Sequence, residues 1–340
     1  MRKSLRDSIL VEKKIIVWGG FWDDRSKLLE LSELNSHASV NCYFLTKALE
    51  RHFNVIQLPS FESIDAALEH EDAVGVISCF QAGFTRLRAK SPLVFSAIKK
   101  TFPGKLGSIV DLVSLQRYAE DFLFTVLPLE ASFKEGLKRR LCGAKVRYIG
   151  WNAAPEYCFP EDVGTFDVFL DHGHYAGTDY TGLYVSALNR ATLEFGQGRL
   201  KVYVQGNEGV KLLDAPYRWD EEAYQRAAKV AWEDMQSFYR KCSLFCVTHQ
   251  ESAGLGAIEA AMCGAKLIVP NNNGTLISKS LLDTGVEYDE APCDEMGLYR
   301  VIVNNADRTI EDRKNIHQKL SSTHSWNRAA DRIAVSDFAR

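Results

Sequence analysis

The most informative part of this sequence for its fold is residues 251–259. They read Glu251-Ser252-Ala253-Gly254-Leu255-Gly256-Ala257-Ile258-Glu259. Two glycines lie between carboxylates that are eight positions apart. An apolar run follows at 260–262, then a Cys-Gly pair at 263–264 and a strand-like segment at 266–270. This order predicts a strand end, a tight glycine turn, the start of a helix and a return strand.

The helix start predicted here suits an anionic ligand. The first N–H groups of a helix have no partner within it, and the helix dipole favours negative charge at that end. Glycine lets a phosphate approach the backbone closely. We therefore expect the N–H groups near Gly254, Leu255 and Gly256 to hold a diphosphate, with Glu251 and Glu259 near a sugar and a ribose. An ordinary turn with two solvated acids is the competing interpretation.

The same residues resemble the E-x7-E signature of retaining glycosyltransferases of the GT-B fold, in the large family 4 type. The matching positions are Glu251, Gly254, Glu259, Ala260, Gly264 and Val269. Ala253 stands where the family usually has an aromatic residue, and Lys266 where it usually has proline. The resemblance implies that Glu251 contacts the donor sugar and that Glu259 accepts hydrogen bonds from the ribose.

Short apolar runs alternate with helical patterns along the whole chain, which predicts two α/β domains with parallel sheets. The first series of predicted strands lies at 13–18, 53–58, 73–78, 107–112, 124–128 and 146–150. After a proline-rich pause at 155–164, the second series lies at 166–170, 200–204, 244–247 and 266–270.

The resemblance extends to the segment 151–160 and to Ser325–Ala330, which are similar to the family's interdomain segment and closing helix. It implies two Rossmann-like domains that face an interdomain cleft. We expect residues 1–160 to form an acceptor-side domain and residues 161–320 to bind the nucleotide-sugar. Residues 321–340 would form a helix that crosses back onto the first domain.

Several further residues are candidates for the chemistry. The family usually supplies an arginine and a lysine to the leaving diphosphate, and the corresponding loop here has His174 and Thr181. We therefore predict His174 as a donor when it is protonated and Lys211 as another cation. Asp111 lies at the end of the predicted strand 107–112 and corresponds loosely to a catalytic position of the family. The remaining predicted donor contacts are Gly19 and Gly20 after the first strand, and Asn273, Gly274 and Thr275 after the return strand.

Composition is typical of a globular protein, with 46% apolar and 25% charged residues. The eight cysteines form no C-x-x-C pair, so buried reduced thiols are expected. No Asp-x-Asp occurs and the pair His172 and His174 has no evident third ligand, so we expect neither a metal nor a cofactor apart from the nucleotide-sugar co-substrate. No apolar run is long enough for a membrane span or a signal peptide, and a cytoplasmic protein is expected.

The sequence thus predicts transfer of a sugar from a nucleotide-diphosphate donor to an acceptor hydroxyl, with retention of configuration. The acceptor would be a glycan, a glycolipid or a small molecule. Residues 1–160 carry 22 Lys and Arg against 18 Asp and Glu, which keeps a hydroxymethylated DNA base open as an acceptor. A nucleotide-sugar epimerase or hydrolase, and an inactive nucleotide-sugar-binding relative, remain as alternatives.

Overall fold

The computed structural model describes residues 13–21, 30–34, 36–60, 62–110, 117–126, 143–171, 180–196, 198–206, 209–218, 230–249, 254–270, 285–292 and 294–340. The structure divides into two compact units. The first is Met1–Asn152 together with Trp326–Arg340, and the second is Ala153–Ser325. The predicted domain limits of 160 and 320 stay predictions.

The first unit is a parallel sheet with helices. Its elements are β1 (Lys14–Phe21), a 3-10 turn (Leu31–Glu33), α1 (His37–Leu49), β2 (Asn54–Ser60), a 3-10 helix (Glu62–Glu69), β3 (Ala73–Ser78), α2 (Gly83–Lys90), α3 (Pro92–Thr101), β4 (Lys105–Val110), β5 (Phe122–Thr125) and β6 (Lys145–Tyr148). The strand order is β2-β1-β3-β4-β5-β6, with every pair parallel. β1 is buried from Ile15 to Trp18 because β2 and β3 pair with its two edges, and α1 and the 3-10 helix at Glu62–Glu69 pack against it.

The C-terminal segment belongs to this first unit. Its helix packs against α1, and the His52 ring lies 2.8 Å from the Asp331 carboxylate. The ring of Phe338 is fully buried, 5.4 Å from Phe122 and 5.2 Å from Phe124 between ring centroids. The closing segment is therefore part of the core of the first unit, as the predicted crossing back requires.

The second unit is a mixed sheet with helices. Its elements are β7 (Phe166–Asp171), α4 (Thr181–Phe195), β8 (Leu200–Gly206), β9 (Gly209–Leu212), α5 (Trp232–Tyr239), β10 (Cys242–Val247), α6 (Leu255–Met262), β11 (Lys266–Pro270), β12 (Tyr288–Ala291), α7 (Glu295–Asn304) and α8 (Ile310–Ser321); the closing helix of the first unit is α9 (Trp326–Ala334). The order is β12-β11-β10-β7-β8-β9, and only β9 is antiparallel to its neighbour.

The structure confirms all ten predicted strands and the α/β class. It adds two short edge strands, β9 and β12, which the sequence analysis missed. It also corrects the first glycine pair: Gly19 and Gly20 lie inside β1, which continues to Phe21 with a shift of register after Trp18. The six cysteines in the described part of the chain are buried and free, as expected.

Candidate functional site

The strand order of the second sheet reverses between β7 and β10. From β7 the chain adds β8 and β9 on one side, whereas β10 pairs with the other edge of β7 and is followed outward by β11 and β12. Loops at the carboxyl ends of two such strands diverge and leave a crevice, which is where open α/β sheets bind their ligands. The helix that begins at Leu255 follows β10 and therefore starts at this crevice.

The helix α6 begins at the crevice with free donors. Gly254 precedes it with φ +62° and ψ 92°, a conformation that glycine adopts without the steric cost of a Cβ. No side chain of the described residues caps the helix, and its first internal hydrogen bond runs from the N–H of Ile258 to the carbonyl of Gly254. The N–H groups of Leu255, Gly256 and Ala257 have no acceptor among the described residues, so they are available to an anion.

The second glycine of the motif has a packing reason. A Cβ on Gly256 would lie 2.8 Å from the hydroxyl oxygen of Tyr239 and 3.4 Å from the ring of Phe245. Both aromatic residues are buried. Glycine at 256 therefore lets α6 pack closely against α5 and β10, whereas glycine at 254 provides the backbone turn.

Glu259 lies in the interior of this packing. Its carboxylate is 3% exposed and accepts hydrogen bonds from Trp232 Nε1 at 2.6 Å and from Gln236 Nε2 at 2.9 Å. Burial raises its pKa to about 8 against the opposing effect of these two donors. The predicted contact with a ribose stays a prediction. The observed contacts give Glu259 a role that the sequence analysis missed, which is to tie α6 to α5.

The far end of α6 is held by a glycine cap and a buried arginine. Gly264 and Ala265 donate to the carbonyls of Ala261 and Ala260, the paired bonds of a Schellman motif. The Arg313 guanidinium from α8 donates to four backbone carbonyls, among them that of Cys263 at 3.1 Å. Burial lowers the pKa of Arg313. These contacts fix the direction of α6 from its carboxyl end.

Three buried polar residues lie at the carboxyl ends of β7 and β10. The hydroxyl of Thr248, which follows β10, donates to the carbonyl of Asp171 at the end of β7 at 3.1 Å, and the Nδ1 of His249 lies 3.0 Å from the same oxygen. The hydroxyl of Thr181, the first residue of α4, lies 2.8 Å from that of Thr248. Thr248 therefore joins the two strand ends, and Thr181 joins the start of α4 to them. Sequence analysis placed Thr181 at the family's lysine position and did not single out Thr248 or His249.

The structure describes some of the other predicted site residues and not the rest. Glu251, His174, Asp111, Asn273, Gly274 and Thr275 lie outside the described residues, so their roles stay predictions. Gly19 is buried within β1 of the first unit, and the indole of Trp18 beside it donates to the Ser60 carbonyl at 2.8 Å.

Lys211 is exposed on β9. This strand is three positions from β10 in the sheet, a separation of about 14 Å. The sheet order does not bring Lys211 to the start of α6.

The described part of the chain has neither a candidate membrane span nor a candidate metal centre. No helix in it is both long and apolar enough to cross a membrane. No three His, Cys, Asp or Glu side chains within it are grouped as metal ligands.

Comparison with solved structures finds several proteins of similar fold. No family model and no curated protein matches the chain. A proposed UDP-N-acetylglucosamine 2-epimerase from Listeria monocytogenes is similar with a TM-score of 0.58 and 11% identity, over 95% of both chains. Sucrose-phosphate synthase from Thermosynechococcus elongatus is similar with a TM-score of 0.56 and 14% identity, over 95% of this chain and 98% of that one.

HepE from Anabaena, solved in complex with UDP-glucose, is similar with a TM-score of 0.53 and 10% identity. The match covers 94% of this chain and 98% of that one. At these identities the likeness shows the fold, which is the GT-B fold of two α/β domains that the sequence predicts.

Proposed function

We propose that this protein is a glycosyltransferase that moves a sugar from a nucleotide-diphosphate donor to an acceptor hydroxyl, with retention of configuration. The observation that carries the proposal is the start of α6. Its three N–H groups have no acceptor among the described residues, and they lie at the crevice between the carboxyl ends of β7 and β10. The fold is similar to that of HepE, which was solved in complex with UDP-glucose, and this supports a nucleotide-sugar as the ligand.

The diphosphate would bind with its oxygens toward the N–H groups of Leu255, Gly256 and Ala257. Negative charge grows on this group as the bond from the anomeric carbon to the phosphate oxygen breaks. Donors that are already fixed in place stabilise such charge without reorganisation, which makes them a large part of catalysis. The anchoring of α6 at Glu259 and Arg313 therefore serves the reaction.

The roles of the remaining residues are taken from the resemblance to the glycosyltransferase family. We assign Glu251 to the donor sugar and protonated His174 to the leaving diphosphate, with Asp111 near the acceptor. The acceptor oxygen would attack the anomeric carbon on the face from which the diphosphate leaves. Its proton would pass to a phosphate oxygen, so that no covalent sugar–enzyme intermediate forms and the configuration is retained.

The test is a transfer assay with uridine, guanosine, adenosine and thymidine diphosphate-sugars and a panel of glycan and small-molecule acceptors. We expect one donor to be used, and Glu251→Ala to lower kcat by about a hundredfold or more. Glu311→Ala, which removes an exposed acid on α8, is the matched control and should keep the parent rate. A Glu251→Ala enzyme that transfers sugar as fast as the parent would reject the assignment.

Epimerisation is the second candidate, favoured by the likeness to the Listeria protein. It needs no acceptor. Incubation of the protein with each nucleotide-sugar alone, followed by chromatography of the sugar, distinguishes the two reactions. Rapid conversion to an epimer without an acceptor would replace the transferase proposal, whereas transfer that depends on an acceptor would exclude the epimerase.

A further inference from the structure

The carbonyl oxygen of Asp171 accepts hydrogen bonds from three donors on the two residues that follow β10. They are the N–H of Thr248 at 3.1 Å, its hydroxyl at 3.1 Å, and Nδ1 of His249 at 3.0 Å. A carbonyl only accepts, so Nδ1 of His249 carries a proton. The Thr248 hydroxyl gives its single proton to Asp171, so the Thr181 hydroxyl is the donor in the pair of threonines. We call these four residues the strand-end network.

The start of α4 is held at the same place. The N–H of Tyr180 donates to the carbonyl of Thr248 at 2.8 Å, and the hydroxyl of Tyr184 donates to the carbonyl of Val247 at 3.2 Å. The side chains of the network are buried, and so is that of Tyr184. A buried network whose members are hydrogen-bonded fixes one arrangement of the groups that it joins. The first turn of α4 is therefore tied to the ends of both strands.

The strand-end network lies where the strand order of the second sheet reverses, between the carboxyl ends of β7 and β10. Glu251 comes two positions after His249 in the sequence, and His174 comes three positions after Asp171. The network therefore sets the points from which the chain continues to both residues that the proposed function assigns to the donor.

We infer that Thr248 and His249 are positioning residues for the nucleotide-sugar. The inference rests on the proposed function and adds residues that act through their neighbours without contacting the donor. Their bonds to the Asp171 carbonyl hold the end of β7 beside β10, and the bond from Thr181 holds the start of α4 against them. A ligand that binds to groups already in position spends less binding free energy on ordering them.

Two substitutions of His249 separate the roles of the two ring nitrogens. The side-chain nitrogen of asparagine can take the place of Nδ1, whereas that of glutamine comes closer to the place of Nε2. The full chain is titrated by calorimetry with the glucose esters of uridine, guanosine, adenosine and thymidine diphosphate. For the ester that the parent binds, His249→Asn should keep the affinity within about twofold. His249→Gln should weaken it about tenfold, the loss of one buried hydrogen bond.

The opposite order would overturn the inference. Tight binding by His249→Gln and weak binding by His249→Asn would place the role at Nε2, in direct contact with the ligand. Equal affinities of the two variants, at the parent value or below it, would show that the bond from Nδ1 to Asp171 does not matter for the donor.

A pair of Thr248 variants distinguishes positioning from a general effect on stability. Thr248→Ser keeps the hydroxyl and removes a buried methyl group, which lowers the unfolding temperature. Thr248→Val keeps the shape and removes the hydroxyl. We expect Thr248→Ser to bind the donor within about twofold of the parent and Thr248→Val to bind about tenfold more weakly. Binding by Thr248→Ser that is as weak as that by Thr248→Val would overturn the inference.

Thr192 supplies the matched control. It is a buried threonine of α4 whose hydroxyl donates to the Leu188 carbonyl at 2.9 Å. Its position is eleven residues after Thr181, about 16 Å along the helix. Thr192→Val should leave the donor affinity within about twofold. Equal weakening by Thr192→Val and Thr248→Val would mean that any buried hydroxyl of this unit matters, which contradicts a specific role of the strand-end network.

Failure of the proposed function gives a different result. A parent protein that binds none of the four nucleotide-sugars would overturn both the proposed function and this inference. A parent that binds one of them, with His249→Gln and Thr248→Val binding equally well, would overturn this inference alone. Circular dichroism and the unfolding temperature of each variant would show that the fold is retained.

Discussion

Replacement of Glu259 by glutamine should change how the stability of the protein depends on pH. The carboxyl is buried, and its pKa is raised to about 8 from the reference value of 4.5 by the loss of solvent. Between these two pH values the folded protein holds a proton that the unfolded chain has released. The stabilisation from that proton is complete below pH 4.5 and is lost as the pH rises to about 8.

The magnitude follows from the interval between the two pKa values. Each pH unit in that interval costs about 1.4 kcal/mol of unfolding free energy. From pH 5 to pH 8 the parent protein should therefore lose about 3 to 4 kcal/mol that the variant, which has no proton to release, keeps. The amide can accept from Trp232 Nε1, and a rotated Gln236 side chain can accept from it, so the packing around α6 can be preserved.

The assay is urea unfolding at half-unit steps of pH, followed by circular dichroism and tryptophan fluorescence. The difference in unfolding free energy between Glu259→Gln and the parent is plotted against pH, which cancels the contributions of all other titrating groups. Glu233→Gln, an exposed glutamate on α5, is the control and should give a flat difference. A flat difference for Glu259→Gln as well would mean that the carboxylate stays ionised in the folded protein, and the reasoning would be refuted.

Two further changes test the turn and the closing segment. Gly254→Ala places a Cβ on a backbone with φ +62° and ψ 92°, and it should cost about 1 to 3 kcal/mol and weaken UDP-sugar binding by calorimetry. Gly182→Ala is the control, because a Cβ added there, in the first turn of α4, meets nothing within 4 Å, and this change should be neutral or stabilising. Equal losses of stability and binding in Gly254→Ala and Gly182→Ala would contradict the role of Gly254 in the turn. Phe338→Ala should cost about 3 to 5 kcal/mol in chemical unfolding, because it empties a fully buried site between Phe122 and Phe124. Val335→Ala, at a residue that is 73% exposed, should change stability little, and a similarly small effect of Phe338→Ala would show that the first unit does not need its C-terminal segment.

The regular elements of this fold were predictable because burial imposes a local pattern. The strand β10 is buried at all six positions and is apolar at every position except Ser243. The strands β9 and β12 were missed because each lies at an edge of the sheet, where one side stays open. β12 has the sequence Tyr-Asp-Glu-Ala, with two acids that no strand pattern favours.

The candidate site was predictable only where its chemistry is local. The start of α6 depends on neighbouring residues, so Gly254 and the helix after it could be located from the sequence. The partners of Glu259 lie 23 and 27 positions earlier, and Arg313 reaches the end of α6 from 50 positions later. Such pairings follow from the packing of distant helices, which a motif in one sequence does not contain. The sequence alone therefore does not show that the carboxylate of Glu259 is enclosed by hydrogen-bond donors of the protein.

The contacts of α6 explain how its first N–H groups, which have no acceptor among the described residues, are held in a fixed direction. Glu259 ties the middle of the helix to Trp232 and Gln236, and Arg313 holds its last turn. Because these contacts are made within the protein, the direction of the helix is fixed before a ligand arrives. A diphosphate that binds there meets donors already in position, and little of its binding free energy is spent on ordering the helix. Under the proposed function, the distant arginine would contribute to anion binding through the helix that it orients, and loss of that contact should weaken the proposed donor site even though Arg313 lies at the opposite end of α6.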